Sequence, residues 1–90
     1  MIEKTYEIKA EEGLHARPAS MLAKIAMKFK CDLGMHLEGV TNKIYQPKSI
    51  LSIMSLGASS GDRVTFTADG EDEEAAMNSI ELLIESDFQV

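Results

Sequence analysis

Within its first 29 residues the chain changes hydrophobic period from two to 3.6, and Gly13 stands at the change. Ile2, Tyr6, Ile8 and Ala10 fall on one side of residues 2–10, with Glu3, Thr5, Glu7 and Lys9 on the other, the alternation of a half-buried strand. From Ala16 onward the apolar positions are Leu22, Ile25, Ala26 and Phe29, spaced i, i+3, i+4 and i+7 along one face of a helix. A chain that switches period so early is neither all-helical nor all-β. Its 90 residues make a single domain, 1–90, too short for an eight-stranded α/β barrel or a full dinucleotide-binding fold.

The remaining elements follow from the same rules. Asp32–Leu37 reads as a second strand, Glu38-Gly39 as a turn, and 43–46 as a further short strand that Pro47 ends. Ser49 is positioned to cap a short helix, Ile50–Leu56, and Gly57 to stop it. Past the turn Ser59-Ser60-Gly61-Asp62, residues Val64, Phe66 and Ala68 alternate with Arg63, Thr65 and Thr67 in another strand. The last helix has Ala76, Ile80, Leu83 and Ile84 as its apolar stripe, while Asp72, Glu73 and Glu74 favour the positive end of its dipole. The order β-α-β-β-α-β-α predicts an α+β fold with the helices laid on one face of an antiparallel or mixed sheet.

Charge is distributed unevenly. Residues 1–57 hold eight Lys/Arg against six Asp/Glu, whereas residues 58–90 hold Arg63 alone against nine acids. The net charge of −6 argues against a general binder of nucleic acid or anionic membrane, and leaves the basic half to meet acidic partners or phosphate. A lone Cys31 forbids an internal disulfide, and the start of the chain lacks a signal pattern; together these predict a cytoplasmic protein with no membrane insertion. Cys31 and His36 form a poor metal pair, and no Gly-rich phosphate loop is present, so neither metal nor other cofactor is expected. Cys31 is read as a small buried residue and His36 as a strand residue.

The chemistry concentrates in Gly13-Leu14-His15-Ala16-Arg17-Pro18-Ala19, where strand passes into helix. With His15 as N-cap, Pro18 falls in the first turn, where its missing N–H does little harm. The N–H groups of Ala16 and Arg17 then point out of the helix end and, with the macrodipole, form an anion site. His15 supplies a nucleophilic imidazole at its mouth, and Arg17 a planar cation able to grip phosphate oxygens with two bonds. These are the parts that covalent phosphoryl transfer needs. On residues alone, the alternative is a solvated helix start with no chemistry.

This heptapeptide resembles the active-site signature of the HPr family, the histidine-containing phosphocarriers of the bacterial phosphoenolpyruvate:sugar phosphotransferase system. A second family signature is matched by Lys48-Ser49-Ile50-Leu51-Ser52-Ile53-Met54-Ser55-Leu56-Gly57. The resemblance spans essentially the whole chain and implies an open-faced β-sandwich, a four-stranded antiparallel sheet with three helices on one face. It implies further that His15 takes a phosphoryl group on Nδ1 from phospho-enzyme I and gives it to the IIA domain of a sugar permease, with Arg17 holding the phosphate. On this reading the protein is not an enzyme but a covalently phosphorylated carrier. The chain departs from the family habit in a longer stretch between His15 and Ser49, around Val40–Lys43. It also has Pro47, and Leu51 and Ser52 where Met and Gly are usual.

Partner docking and regulation are also implied. With Arg17 as origin, Lys24 and Lys28 fall at about −20° and about +20° on the helical wheel, one basic stripe, with Met21 between stripe and core. Leu51 and Met54 would form an apolar patch beside it, suited to packing against several partners in turn. Ser49 resembles the family's regulatory serine, the target of HPr kinase/phosphorylase, whose phosphorylated form binds a transcriptional regulator. Two other functions compete with the carrier: a regulatory paralogue acting mainly through phospho-Ser49, and a generic small binding module.

Overall fold

The computed structural model of the chain describes residues 1–89. The early alternation forms β1, Ile2–Glu7, and the helical period forms α1, Ala16–Ala26. The second strand is β2, Asp32–Leu37, and the capped helix is α2, Ile50–Leu56. Then come β3, Arg63–Asp69, and α3, Glu73–Glu85. α2 is bounded as its ends require: the Ser49 Oγ accepts the Ser52 N–H at 3.2 Å, and Gly57 closes the helix with φ +70°.

β3, last in sequence, lies at the centre of the sheet, with β1 and β2 antiparallel on either side. The register sets Tyr6 and Leu37 opposite Val64, and Lys4 and Met35 opposite Phe66. Val64, Phe66 and Ala68 are fully buried, with Met35 beside them. Ala19, Leu22 and Ala26 of α1, Ile53 of α2, and Ala76, Ile80 and Leu83 of α3 close over that face. The α+β open-faced architecture with three helices therefore holds.

The sheet has three strands among the described residues, not four. The segment expected to pair at 43–46 contributes a single bridge, in which Met35 and Tyr45 exchange N–H···O bonds of 2.9 and 2.8 Å. Pairing stops there because the next donors are taken or missing. The Gln46 N–H donates to Ser52 Oγ at 2.8 Å, its carbonyl accepts the Ser49 N–H at 3.1 Å, and Pro47 has no N–H. The chain leaves the sheet edge to build the start of α2.

Asp72 does more than favour the dipole of α3. It occupies the N-cap position of α3 but makes no cap bond. Its two oxygens accept the backbone N–H groups of Lys30 (2.8 Å) and Cys31 (2.9 Å), pinning the entry to β2. Those bonds hold its carboxyl below the usual carboxylate range. Glu73 accepts the Gly70 N–H at 3.1 Å and so closes the turn that precedes the helix.

Candidate functional site

The junction between β1 and α1 turns on Gly13, at φ +71°. A Cβ there would lie 2.4 Å from the Ala58 carbonyl oxygen and 2.9 Å from Ser59 Cα, so only glycine fits. The Leu14 N–H donates to that same carbonyl at 2.9 Å, and the Leu14 side chain is buried. The turn is thus pressed against the backbone that follows α2, and the start of α1 lies next to the end of α2.

His15 is the N-cap of α1 with extended backbone (φ −86°, ψ −166°), and its side chain makes no cap bond. Its carbonyl accepts the first helical bond, from the Ala19 N–H at 2.8 Å. The N–H groups of Ala16 and Arg17 have no hydrogen-bond partner among the described residues, and the first turn carries no acidic side chain. Pro18 is buried and has no N–H to satisfy. The imidazole, the two free N–H groups and the guanidinium of Arg17 are all exposed at one end of the molecule.

Two clefts flank this end. His15 opens into one of about 180 Å³, lined also by Leu14, Met54, Gly57, Ala58 and Ser59. Arg17 lines the other, about 300 Å³, with Lys9, Pro18, Asp87 and Phe88. Glu12 borders both. The guanidinium is therefore not in the His15 cleft: Arg17 Nη2 donates to the Phe88 carbonyl at 3.4 Å. The sequence spacing brings His15 and Arg17 to one helix start, while the tertiary fold seats their side chains in neighbouring clefts.

The residues expected for docking and regulation spread away from this end: Lys24 and Lys28 lie at the C-terminal end of α1, and Ser49 at the start of α2, whose other end meets the His15 turn. Met21 is half-buried against the core and Lys24 is exposed. Lys28 is not on the helix: α1 ends at Ala26, and Lys28 sits in the following turn, its N–H donating to Ile25 at 3.1 Å. Leu51 is 79% exposed and Met54 38% exposed, and Met54 lines the His15 cleft. Ser49 is half-buried at the start of α2, and Lys48 beside it reaches back so that Nζ donates to the Cys31 carbonyl at 2.9 Å.

Cys31 is buried, and that burial pushes its thiol pKa up. His36 lies buried on β2, with Nδ1–H donating to the Leu37 carbonyl at 2.8 Å. No group of three metal-ligating side chains occurs among the described residues. No helix there is long and apolar enough to cross a membrane.

Sequence reasoning missed Ala58 and Ser59, Glu12, Lys9 and Phe88, which complete the two clefts. Gly13 was the one local signal, since a glycine at a strand-to-helix turn can mark a close backbone approach.

The family described as the PTS HPr component phosphorylation site matches residues 2–86. The phosphocarrier protein HPr of Mycoplasma genitalium is 47% identical over 79 residues, covering 87% of this chain and 86% of the relative. That of Mycoplasma pneumoniae is 44% identical over 79 residues, with the same coverage. In the crystal structure of HPr-C-His from Thermoanaerobacter tengcongensis, a chain 44% identical matches with a TM-score of 0.91, over 100% of this chain and 98% of that one. Sequence and fold converge: the chain belongs to the HPr family, the phosphocarriers, rather than catalysts, of the phosphotransferase system.

Proposed function

We propose that His15 is the phosphoryl acceptor of this phosphocarrier, taking the group from phospho-enzyme I and passing it to the IIA domain of a sugar permease. The observation that carries this reading is the unsatisfied start of α1: an exposed imidazole beside the free N–H groups of Ala16 and Arg17. In the transfer, a lone pair on His15 Nδ1 attacks phosphorus. The new P–N bond forms as the bond to the donor atom breaks, and the donor keeps that electron pair. The phosphoryl oxygens then gain the helix N–H groups and the Arg17 guanidinium as donors. The chain is an intermediate in the relay and works in the cytoplasm.

Incubation with enzyme I and phosphoenolpyruvate tests this. Mass spectrometry at high pH should show one added phosphoryl group, stable to base and lost in acid. The same group on a His15→Ala chain would overturn the assignment.

Partners would dock on Met21, Lys24, Lys28, Leu51 and Met54. Leu51 and Met54 supply exposed apolar surface on α2, Met54 where it borders the His15 cleft, and the lysines suit an acidic partner. Ser49 is a second, regulatory position, for HPr kinase/phosphorylase and a transcriptional regulator. Its support is the observed cap: a phosphate there would add about −1.5 to −2 charges at a helix start beside Leu51 and Met54. Slower His15 phosphorylation in Ser49→Asp but not in Ser49→Ala would support a charge-based switch. Equal rates would leave Ser49 as a cap alone.

A further inference from the structure

The signature heptapeptide begins at Gly13, and the residue just before it is Glu12. Glu11 and Glu12 are the central residues of a turn that the Gly13 N–H closes by donating to the Ala10 carbonyl at 2.9 Å. The turn is fixed from its far side too, because Gly13 lies against Ala58 and the Leu14 N–H donates to the Ala58 carbonyl at 2.9 Å. Both glutamates are exposed, but they serve different clefts. Glu11 lines only the Arg17 cleft, whereas Glu12 also lines that of His15. The other residues there are Leu14, Met54, Gly57, Ala58 and Ser59, so among the described residues Glu12 is the one carboxylate lining the imidazole's cleft. It enters none of the ion pairs among the described residues.

Resting on the reading of His15 above, we propose that Glu12 sets how strongly the phosphoryl group is held, by repelling it. A neutral imidazole leaves the carboxylate unopposed. Once Nδ1 carries phosphorus, about −1.5 to −2 charges enter a cleft that already holds one negative charge. The helix N–H groups and Arg17 attract those charges, and Glu12 opposes them. The repulsion exists only in the phosphorylated chain, so it tilts the equilibrium toward donation. In donation the P–N bond breaks, the electron pair returns to Nδ1, and phosphorus bonds to the nucleophile of the accepting IIA domain. Glu12 forms no bond in this step and acts through its charge across the cleft. A carrier must release its group as readily as it takes it, and a carboxylate anchored three residues from the acceptor favours release.

Three substitutions in the exposed turn test this. Glu12→Gln removes the charge and keeps the shape, and Glu12→Asp keeps the charge. Glu11→Gln removes an equal charge one residue away, outside the His15 cleft. The equilibrium between phospho-enzyme I and each chain is read by intact-mass spectrometry after quenching in base, with both proteins dilute enough that docking does not enter the ratio. At low salt Glu12→Gln should favour the phosphorylated carrier by about threefold and Glu11→Gln by less than about 1.5-fold, the scale of like charges across a solvated cleft. Glu12→Asp should stay with the parent. The Glu12→Gln shift should persist in an Arg17→Ala chain and shrink at ~1 M salt, where the Debye length is about 3 Å. The role of Glu12 is overturned by no shift in Glu12→Gln, by an equal shift in Glu11→Gln, or by a Glu12→Asp chain that behaves as Glu12→Gln does. A shift indifferent to salt, or lost without Arg17, overturns it as well. A parent chain that accepts no phosphoryl group at all would overturn the His15 reading itself.

Discussion

The first turn of α1 carries no acidic residue and leaves the N–H groups of Ala16 and Arg17 unpaired among the described residues, whereas that of α3 carries Glu73 and Glu74. At α3, Glu73 takes the Gly70 N–H, and its other oxygen lies 3.2 Å from the Met1 ammonium. Both helices offer the same positive pole. α3 fills its own with carboxylates, and α1 keeps its pole vacant beneath an imidazole. Each start leaves two first-turn N–H groups unpaired among the described residues, Ala16 and Arg17 in α1 and Glu74 and Ala75 in α3, so the contrast is one of charge: carboxylates answer the dipole of α3 and none answers that of α1.

The contrast can be broken most severely at Gly13. Gly13→Ala forces a Cβ against the Ala58 carbonyl and a side chain into a left-handed turn. It should destabilise the domain by about 2–4 kcal/mol, read from urea unfolding, and detach the α1 start from Ala58 and Ser59. Arg17→Ala is next. Transfer from phospho-enzyme I should slow by at least ~10-fold, about 1.4 kcal/mol, while unfolding shifts by less than ~0.5 kcal/mol. Arg17→Lys should recover only part of the rate.

A smaller effect sharpens the comparison by making α1 begin as α3 does. His15→Asp supplies a carboxylate that can accept the Arg17 N–H, so it should stabilise the chain by about 0.5–1 kcal/mol while abolishing acceptance. A thermal scan beside the phosphorylation assay reads both. At α3 the counterpart is pH. Backbone N–H groups of Lys30 and Gly70 hold the Asp72 and Glu73 carboxyls below their ordinary values. Their contribution is therefore present above the unfolded pKa values, about 3.9 and 4.3, and is lost as pH falls through the lower folded values. Unfolding measured across that acid range should lose part of its slope in Asp72→Asn.

Local pattern carried much of the fold. Alternation around Tyr6 and Phe66, helical spacing around Leu22 and Ile80, and the Ser49 and Gly57 boundaries of α2 all appear where hydrophobic period and caps require. What escaped was non-local. The expected fourth strand yields to Ser52 Oγ, which takes the donor of Gln46, and nothing in the pattern of 43–46 shows that competitor. Asp72 reads only as an acidic residue favouring the dipole of α3, because the partners it also holds, Lys30 and Cys31, lie far away in sequence. The same holds at the site. His15 and Arg17 are legible as a motif, but the side of the helix start on which each side chain rests depends on Ala58, Ser59 and Phe88.

The central position of β3 has a consequence for how the chain is made. β1 and β2 never pair with each other, so each must wait for Arg63–Asp69 before it gains a sheet partner. As the chain emerges from the ribosome, Ile2–Glu7 and Asp32–Leu37 are both unpaired edges until β3 arrives and is inserted between them. Such long-range pairing raises the contact order and slows folding relative to a helical bundle of the same length. A nascent chain released before Arg63 should remain unfolded, with the start of α1 unformed.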